Sequence, residues 1–214
     1  MTARGRFVSF EGSEGVGKST QLRELAAWLA ACGVEVVTTR EPGGTARAER
    51  LRAELLERSD EPMPSSCELL LMFAARATHV ENLVRPALER GAWVLCDRYT
   101  DATYAYQGAG RGVPGADIDA LVRIVHPDFW PDLTLLLDAP VETGMARAHA
   151  RANGAASDRF ESERSEFFER VRTCYLERAQ REPRRFRVID ATGPVASVFA
   201  RIQAAVRPLL GVGP

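Results

Sequence analysis

Gly12-Ser13-Glu14-Gly15-Val16-Gly17-Lys18-Ser19 spaces its glycines, lysine and hydroxyl as G-x-x-x-x-G-K-S, after the apolar residues 7–10 and before a helical pattern. A glycine-rich backbone wraps a polyphosphate with its N–H groups, the next helix aims its positive end at the same anion, and a lysine reaches the outer phosphates. The implied chemistry is binding of a nucleoside triphosphate with magnesium, by residues 12–19 together with Thr20. Of 28 basic residues Lys18 is the only lysine. A compact ammonium on a flexible stem sits among phosphate oxygens without the planar fork of arginine.

Further residues extend this chemistry. Asp97 ends an apolar run, as the carboxylate that helps hold magnesium does, and Ser19 offers a hydroxyl to the same ion. A hydrolytic motor would follow that aspartate with a glutamate to orient water; here Arg98 follows, which points to a second anionic substrate. Phe73 and Arg76 share a helix face, an aromatic plate beside a fork of donors, which suits a flat base. Thr103, Tyr106 and Gln107 offer hydroxyl and amide groups to a base edge and a sugar. Arg147 and Arg151 lie one helical turn apart before the small-residue segment 152–157, and Arg159 follows it. As an arginine-rich surface they need no function; on a closing lid at about 147–160 they would neutralise a transferring phosphoryl group.

The elements that must hold these residues follow from periodicity. Apolar runs at 6–11, 34–39, 92–96, 133–137 and 186–189 read as strands, and the segments between them carry helical patterns. Alternating strands and helices predict an α/β fold: a doubly wound, five-stranded parallel sheet with helices on both faces and ligands outside the carboxyl ends of the strands. Glu11, Arg40, Asp97 and Asp138 fall at those ends. Ser65 with Glu68 reads as a capping box opening a helix over 66–90, with a kink at Pro86. Residues 1–214 are expected to form one domain.

Composition narrows the partners. A net charge of -1 gives no footprint for nucleic acid or a membrane surface, so small molecules are expected. Four cysteines without a C-x-x-C pair fit reduced thiols, with Cys96 in the core, rather than a disulfide frame or a zinc site. No signal peptide pattern or membrane-length apolar run is seen, and a cytoplasmic protein is the expectation.

Several runs carry a family resemblance: Phe10-Glu11-Gly12 through Thr20, Thr39-Arg40-Glu41-Pro42-Gly43-Gly44-Thr45, Leu71-Met72-Phe73-Ala74-Ala75-Arg76, Asp97-Arg98-Tyr99 and Ala105-Tyr106-Gln107-Gly108. Together they resemble bacterial thymidylate kinase, from the first strand to the last helix. The resemblance implies the P-loop nucleoside monophosphate kinase fold, a homodimer, and ATP-dependent phosphorylation of dTMP to dTDP with Mg2+. It implies that Phe73 stacks on thymine, Arg76 reaches its carbonyl edge, and Thr103 and Gln107 help read the base. It also implies that Arg98 with Arg52 holds the acceptor phosphate, that Glu14 sits near the acceptor sugar, and that adenine lies near Ala191 and Thr192. Relatives carry the catalytic arginine in the loop or in the lid; with no arginine in its loop the chain resembles the lid-arginine type, which implies Arg151, with Arg147 or Arg159 as alternatives. Lys18, Arg98, Arg151 and Glu14 are thus the expected catalytic set.

Three other readings compete. A kinase of another small metabolite shares the loop but not the base-holding face. A guanine-nucleotide switch needs Asn-Lys-x-Asp, which a chain with one lysine at position 18 cannot contain. A nonenzymatic scaffold requires that no phosphoryl transfer occur.

Overall fold

β-branched and aromatic runs bounded by turns form β1 (Phe7–Glu11), β2 (Val36–Arg40), β3 (Trp93–Asp97), β4 (Leu133–Asp138) and β5 (Phe186–Asp190). The computed structural model describes residues 4–57, 59–152 and 163–211. All strand pairs are parallel, in the order β2-β3-β1-β4-β5. The central strands β1, β3 and β4 are buried almost throughout because helices cover both faces, which is why they read as continuous apolar runs. The chain leaves β1 towards one edge of the sheet and β3 towards the other. That divergence opens a crevice at the carboxyl ends of these neighbours.

Alternation along the strands divides the core. Val8, Phe10, Leu95 and Leu135 pack on one face against Leu22, Leu25 and Leu29 of α1 (Lys18–Ala31) and Val198 and Ile202 of α9 (Val195–Val206). Phe7, Val94 and Cys96 face the other side, beneath Val80, Val84 and Leu88. The remaining helices are α2 (Ala46–Leu56), α3 (Ser65–His79), α4 (Arg85–Glu89), α5 (Thr100–Thr103), α6 (Gly115–Val125), α7 (Val141–Ala152) and α8 (Ser165–Arg181).

Local chemistry departs from expectation in three places. Pro64 takes the N-cap of α3 and no side chain caps it, so the box expected from Ser65 and Glu68 does not form. Glu68 turns inward and accepts from Gln107 Nε2 at 2.7 Å. Before Pro86, a π-helical turn over Val80–Val84 joins α3 to α4. The wider turn accommodates the proline's missing N–H, where a simple kink was expected. A second π turn, Tyr104–Gly110, continues α5 where the sequence pattern reads as a helix over 100–107.

The position of α5 is fixed by charge. Fully buried Asp101 accepts from Arg178 Nε of α8 at 2.7 Å and from Arg185 Nη1 at 2.6 Å. Arg185 also donates to Thr134 on β4. Removing one member of such a set leaves the others desolvated and unpaired, which typically costs about 3–5 kcal/mol. Asp101→Ala is therefore expected to lose about 3 kcal/mol or more in urea denaturation, a cost absent from a surface control such as Asp117→Ala.

Candidate active site

The loop between β1 and α1 has the backbone its glycines allow. Gly12 and Gly15 adopt φ of 131° and 72°. A Cβ on Gly15 would stand 1.8 Å from the Gly144 carbonyl oxygen of α7, so any side chain there collides with backbone. Lys18 folds back over the loop, donating to the Ser13 carbonyl at 2.8 Å and the Gly12 carbonyl at 3.1 Å. Only 7% exposed, it is pushed down to about 8 by burial and then by neighbouring Arg98, with Glu14 and Asp97 pulling the other way. Ser19 Oγ donates to Asp97 Oδ2 at 2.9 Å, which brings together a hydroxyl and a carboxylate suited to a hard cation. Among the described residues no cluster of three acidic, histidine or cysteine side chains forms. The pair fits magnesium that takes its other ligands from phosphates and water.

Arg98 joins this loop to a second cavity. Its φ of 72° is left-handed, costly for arginine, and holds the guanidinium over the loop. Arg98 donates to the Gly12 carbonyl at 2.8 Å, to Tyr106 Oη at 2.8 Å and to Glu14 Oε1 at 2.5 Å. Burial would raise the Glu14 carboxyl, but Arg98, Lys18 and Tyr106 outweigh it and hold it at about 2. The loop cleft is lined by Lys18, Ser19, Arg40 and Asp97 and shares Glu14, Glu41, Arg52 and Arg98 with its neighbour. That neighbour continues past Leu56, Met72, Arg76, Ala102, Thr103, Tyr106 and Gln107.

The far wall is a buried relay. Arg76 donates from Nε to Glu41 Oε2 at 2.7 Å and from Nη2 to Thr103 Oγ1 at 3.0 Å. The other Glu41 oxygen meets His79 Nδ1 at 2.8 Å, and His79 Nε2 meets Thr39 Oγ1 at 2.8 Å. Burial opposes ionisation of Glu41, yet Arg76 and His79 together keep it below the usual carboxylate range. The site therefore offers a triphosphate loop, a cation pair, an arginine bridge and a slot with apolar walls and a polar end.

A family profile described as thymidylate kinase matches residues 10–202. The chain belongs to the thymidylate kinase family. It is 55% identical over 205 residues to the thymidylate kinase of Alcanivorax borkumensis, covering 96% of this chain and 97% of the relative. It is 53% identical over 206 residues to that of Pseudomonas savastanoi pv. phaseolicola, with the same coverage. The crystal structure of thymidylate kinase from Ehrlichia chaffeensis superposes with a TM-score of 0.78 at 32% identity, over 95% of this chain and 99% of that one. The P-loop nucleoside monophosphate kinase fold expected from the resemblance is the fold found.

Within this thymidylate kinase family member, most residues singled out by sequence do meet at the two clefts. Glu14, Arg52, Arg76, Arg98, Thr103, Tyr106 and Gln107 line the second cavity, and Lys18, Ser19 and Asp97 the loop cleft. Arg52 also donates to the Pro42 carbonyl at 2.9 Å. Phe73 does not line the cavity. Only 2% exposed, it packs with Leu69, Ile118 and Val122 and stacks on His126 at 6.3 Å between ring centroids. Burial and then Arg76 hold His126 down at about 4, so that ring is neutral at pH 7. The apolar wall is given instead by Met72, one residue earlier on α3, with Leu56 and Ala102. A shared helix face with Arg76 fitted both Met72 and Phe73, and the aromatic ring drew the assignment.

The other strand-end residues are held by protein partners. Glu11 accepts from the Tyr99 N–H and Tyr175 Oη, both at 2.7 Å, while Asp138 is held by Arg172 at 2.7 and 3.0 Å. Arg40 pairs with Glu49. Arg147 donates to the Ala191 and Thr192 carbonyls at 2.8 and 2.9 Å, which occupies it at the loop after β5. The Arg151 side chain and Arg159 lie outside the described residues. Glu41, Glu68, Met72 and His79 were missed by sequence. The buried carboxylates left no periodic signal, although Glu41 stands inside the quoted Arg-Glu-Pro run.

Two outcomes follow. If Lys18 meets the outer phosphates of ATP, binding needs its charged form, which in the free protein is lost as pH rises through about 8. Affinity measured by calorimetry should fall about fiftyfold from pH 8 to pH 10 beyond the change shown by a small-molecule ATP chelate, and a flat profile would contradict the assignment. Phe73→Ala should cost about 3 kcal/mol of stability as a core truncation, whereas Met72→Ala should chiefly raise the KM of the acceptor. Thermal denaturation alongside kinetics separates the two.

Proposed function

We propose that this chain transfers the γ-phosphoryl group of ATP to dTMP, giving dTDP. The observation that carries this reading is the continuity of the two clefts through Glu14, Glu41, Arg52 and Arg98. A donor triphosphate on the loop and a nucleoside monophosphate in the slot would face each other across the Arg98 guanidinium. Family membership supplies the same activity: the relatives are thymidylate kinases.

The acceptor is already an oxyanion, so little proton removal is needed. The obstacle is the approach of two anions, and the barrier is lowered by positioning and charge neutralisation. Lys18 leaves the Gly12 and Ser13 carbonyls for the outer phosphates of ATP. Arg98 and Arg52 hold the acceptor phosphate, and Glu14, ionised and tied to Arg98, limits the arginine's motion and faces the acceptor sugar. Ser19 and Asp97 would hold magnesium, which when bound screens the phosphate charge. Met72 and Leu56 cover the face of thymine, while Arg76, Thr103 and Gln107 meet its polar edge and Tyr106 orients Arg98.

Segment 147–160 acts as a lid over one catalytic domain, and Arg151 brings the remaining positive charge to the transferred group. Arg147, anchored on the loop at Ala191 and Thr192, borders the adenine instead. The enzyme works as a cytoplasmic homodimer; Leu70 on α3 and Ile124 on α6, 57% and 75% exposed, supply apolar surface for a second copy. Among the described residues no helix is long and apolar enough to cross a membrane.

A coupled assay with ATP and dTMP, with dUMP and dCMP as controls, tests the activity. In it Arg151→Ala should lower kcat about a thousandfold with little change in dTMP affinity. An unchanged kcat would remove Arg151 from the mechanism, and absence of turnover in the unmodified enzyme would overturn the activity itself.

A further inference from the structure

At the polar end of the acceptor cavity two buried side chains present opposite hydrogen-bonding characters. Arg76, 2% exposed, spends Nε on Glu41 and Nη2 on Thr103, and its Nη1 is buried without a partner. A donor with no acceptor inside the protein is costly unless a ligand supplies one. Gln107, 1% exposed, donates through Nε2 to Glu68 Oε1 at 2.7 Å. The second oxygen of Glu68 lies 3.5 Å from Arg111 Nε, so Glu68 faces a guanidinium. A carboxylate in that setting accepts only, and the amide NH2 of Gln107 must turn towards it. With the NH2 drawn to Glu68, the Gln107 carbonyl oxygen is the acceptor it can offer the cavity.

The wall therefore reads as one donor, from Arg76, and one acceptor, from Gln107. An imide base such as thymine or uracil carries the complement, a ring carbonyl beside a ring N–H. Cytosine carries an amine beside an unprotonated ring nitrogen, which sets donor against donor and acceptor against acceptor. Nothing about Gln107 alone enforces this, since a free amide can turn over and reverse its character.

We propose that Glu68 is a positioning residue that sets nucleobase choice, by locking the Gln107 amide with its carbonyl towards the base. It never touches the substrate. The inference rests on the reading that this cavity takes a pyrimidine nucleoside monophosphate, and it adds the residue that makes the choice. Glu68→Gln supplies an amide that can donate to the Gln107 carbonyl, so Gln107 can turn its NH2 to the cavity.

The experiment measures kcat/KM for dTMP and dCMP with saturating ATP in the wild type and Glu68→Gln. The expected result is at least a tenfold rise in the dCMP to dTMP ratio, carried by KM of the acceptors, with KM for ATP unchanged. A parallel fall for both acceptors, leaving the ratio where it was, would mean that Glu68 only packs and would overturn the proposal. If Glu68→Gln shows no cooperative thermal transition, the wild type decides: dTMP methylated at N3 lacks the proton that the Gln107 carbonyl accepts. Its KM should exceed that of dTMP at least tenfold, and an equal KM overturns the proposal. Failure of the underlying activity is seen separately, as a wild type that turns over no dTMP.

Discussion

Arg98 stands where the demands on the site meet. Two anionic substrates must approach within bonding distance, and some fixed positive charge has to sit between them without belonging wholly to either. The end of β3 offers a candidate in Arg98, with a backbone forced to φ of 72° and three acceptors within 2.8 Å, the Gly12 carbonyl, Glu14 and Tyr106, that leave the guanidinium little freedom. They come from two distant parts of the chain. The first two belong to the phosphate loop and the third to the π turn after α5, so both walls depend on one side chain.

Around that centre the protein places charge in closed groups. Asp101 holds Arg178 and Arg185; Glu41 holds Arg76 and His79; Asp138 holds Arg172. Buried ions are costly singly and tolerable in such sets. These sets do more than stabilise. Glu41 aims Arg76 into the cavity, and Asp101 fixes the short helix carrying Thr103, so electrostatics settled in the core become geometry at the site.

The fold was legible because its strongest signals are periodic. Apolar strands such as Phe7–Glu11 and Leu133–Asp138, separated by amphipathic helices, admit few arrangements, and the phosphate loop announces its own position. The site was legible where chemistry and position coincide, as at Lys18, Asp97 and Arg98. It was misread where one helical step decides the answer. Met72 and Phe73 differ by about 100° around α3, and only the packing of Ile118, Val122 and His126 against Phe73 determines which faces the slot. Glu41, Glu68 and His79 were invisible for another reason: their importance lies in partners 38, 39 and 40 residues away. The π turns at 80–84 and 104–110 likewise answer tertiary needs that no local pattern encodes.

The buried, partly neutralised Lys18 has a consequence beyond phosphate binding. It is the only side-chain amine in the protein, every other basic residue being arginine. With its proton released near pH 8, much of it is a free nucleophile under mildly alkaline conditions. Reagents that acylate or reductively alkylate lysine have a single side chain to address, and it lies at the floor of the triphosphate cleft. The composition thus sets this cleft apart chemically, so that one side-chain label, told apart from the terminal amine by peptide mapping, reports whether the cleft is occupied.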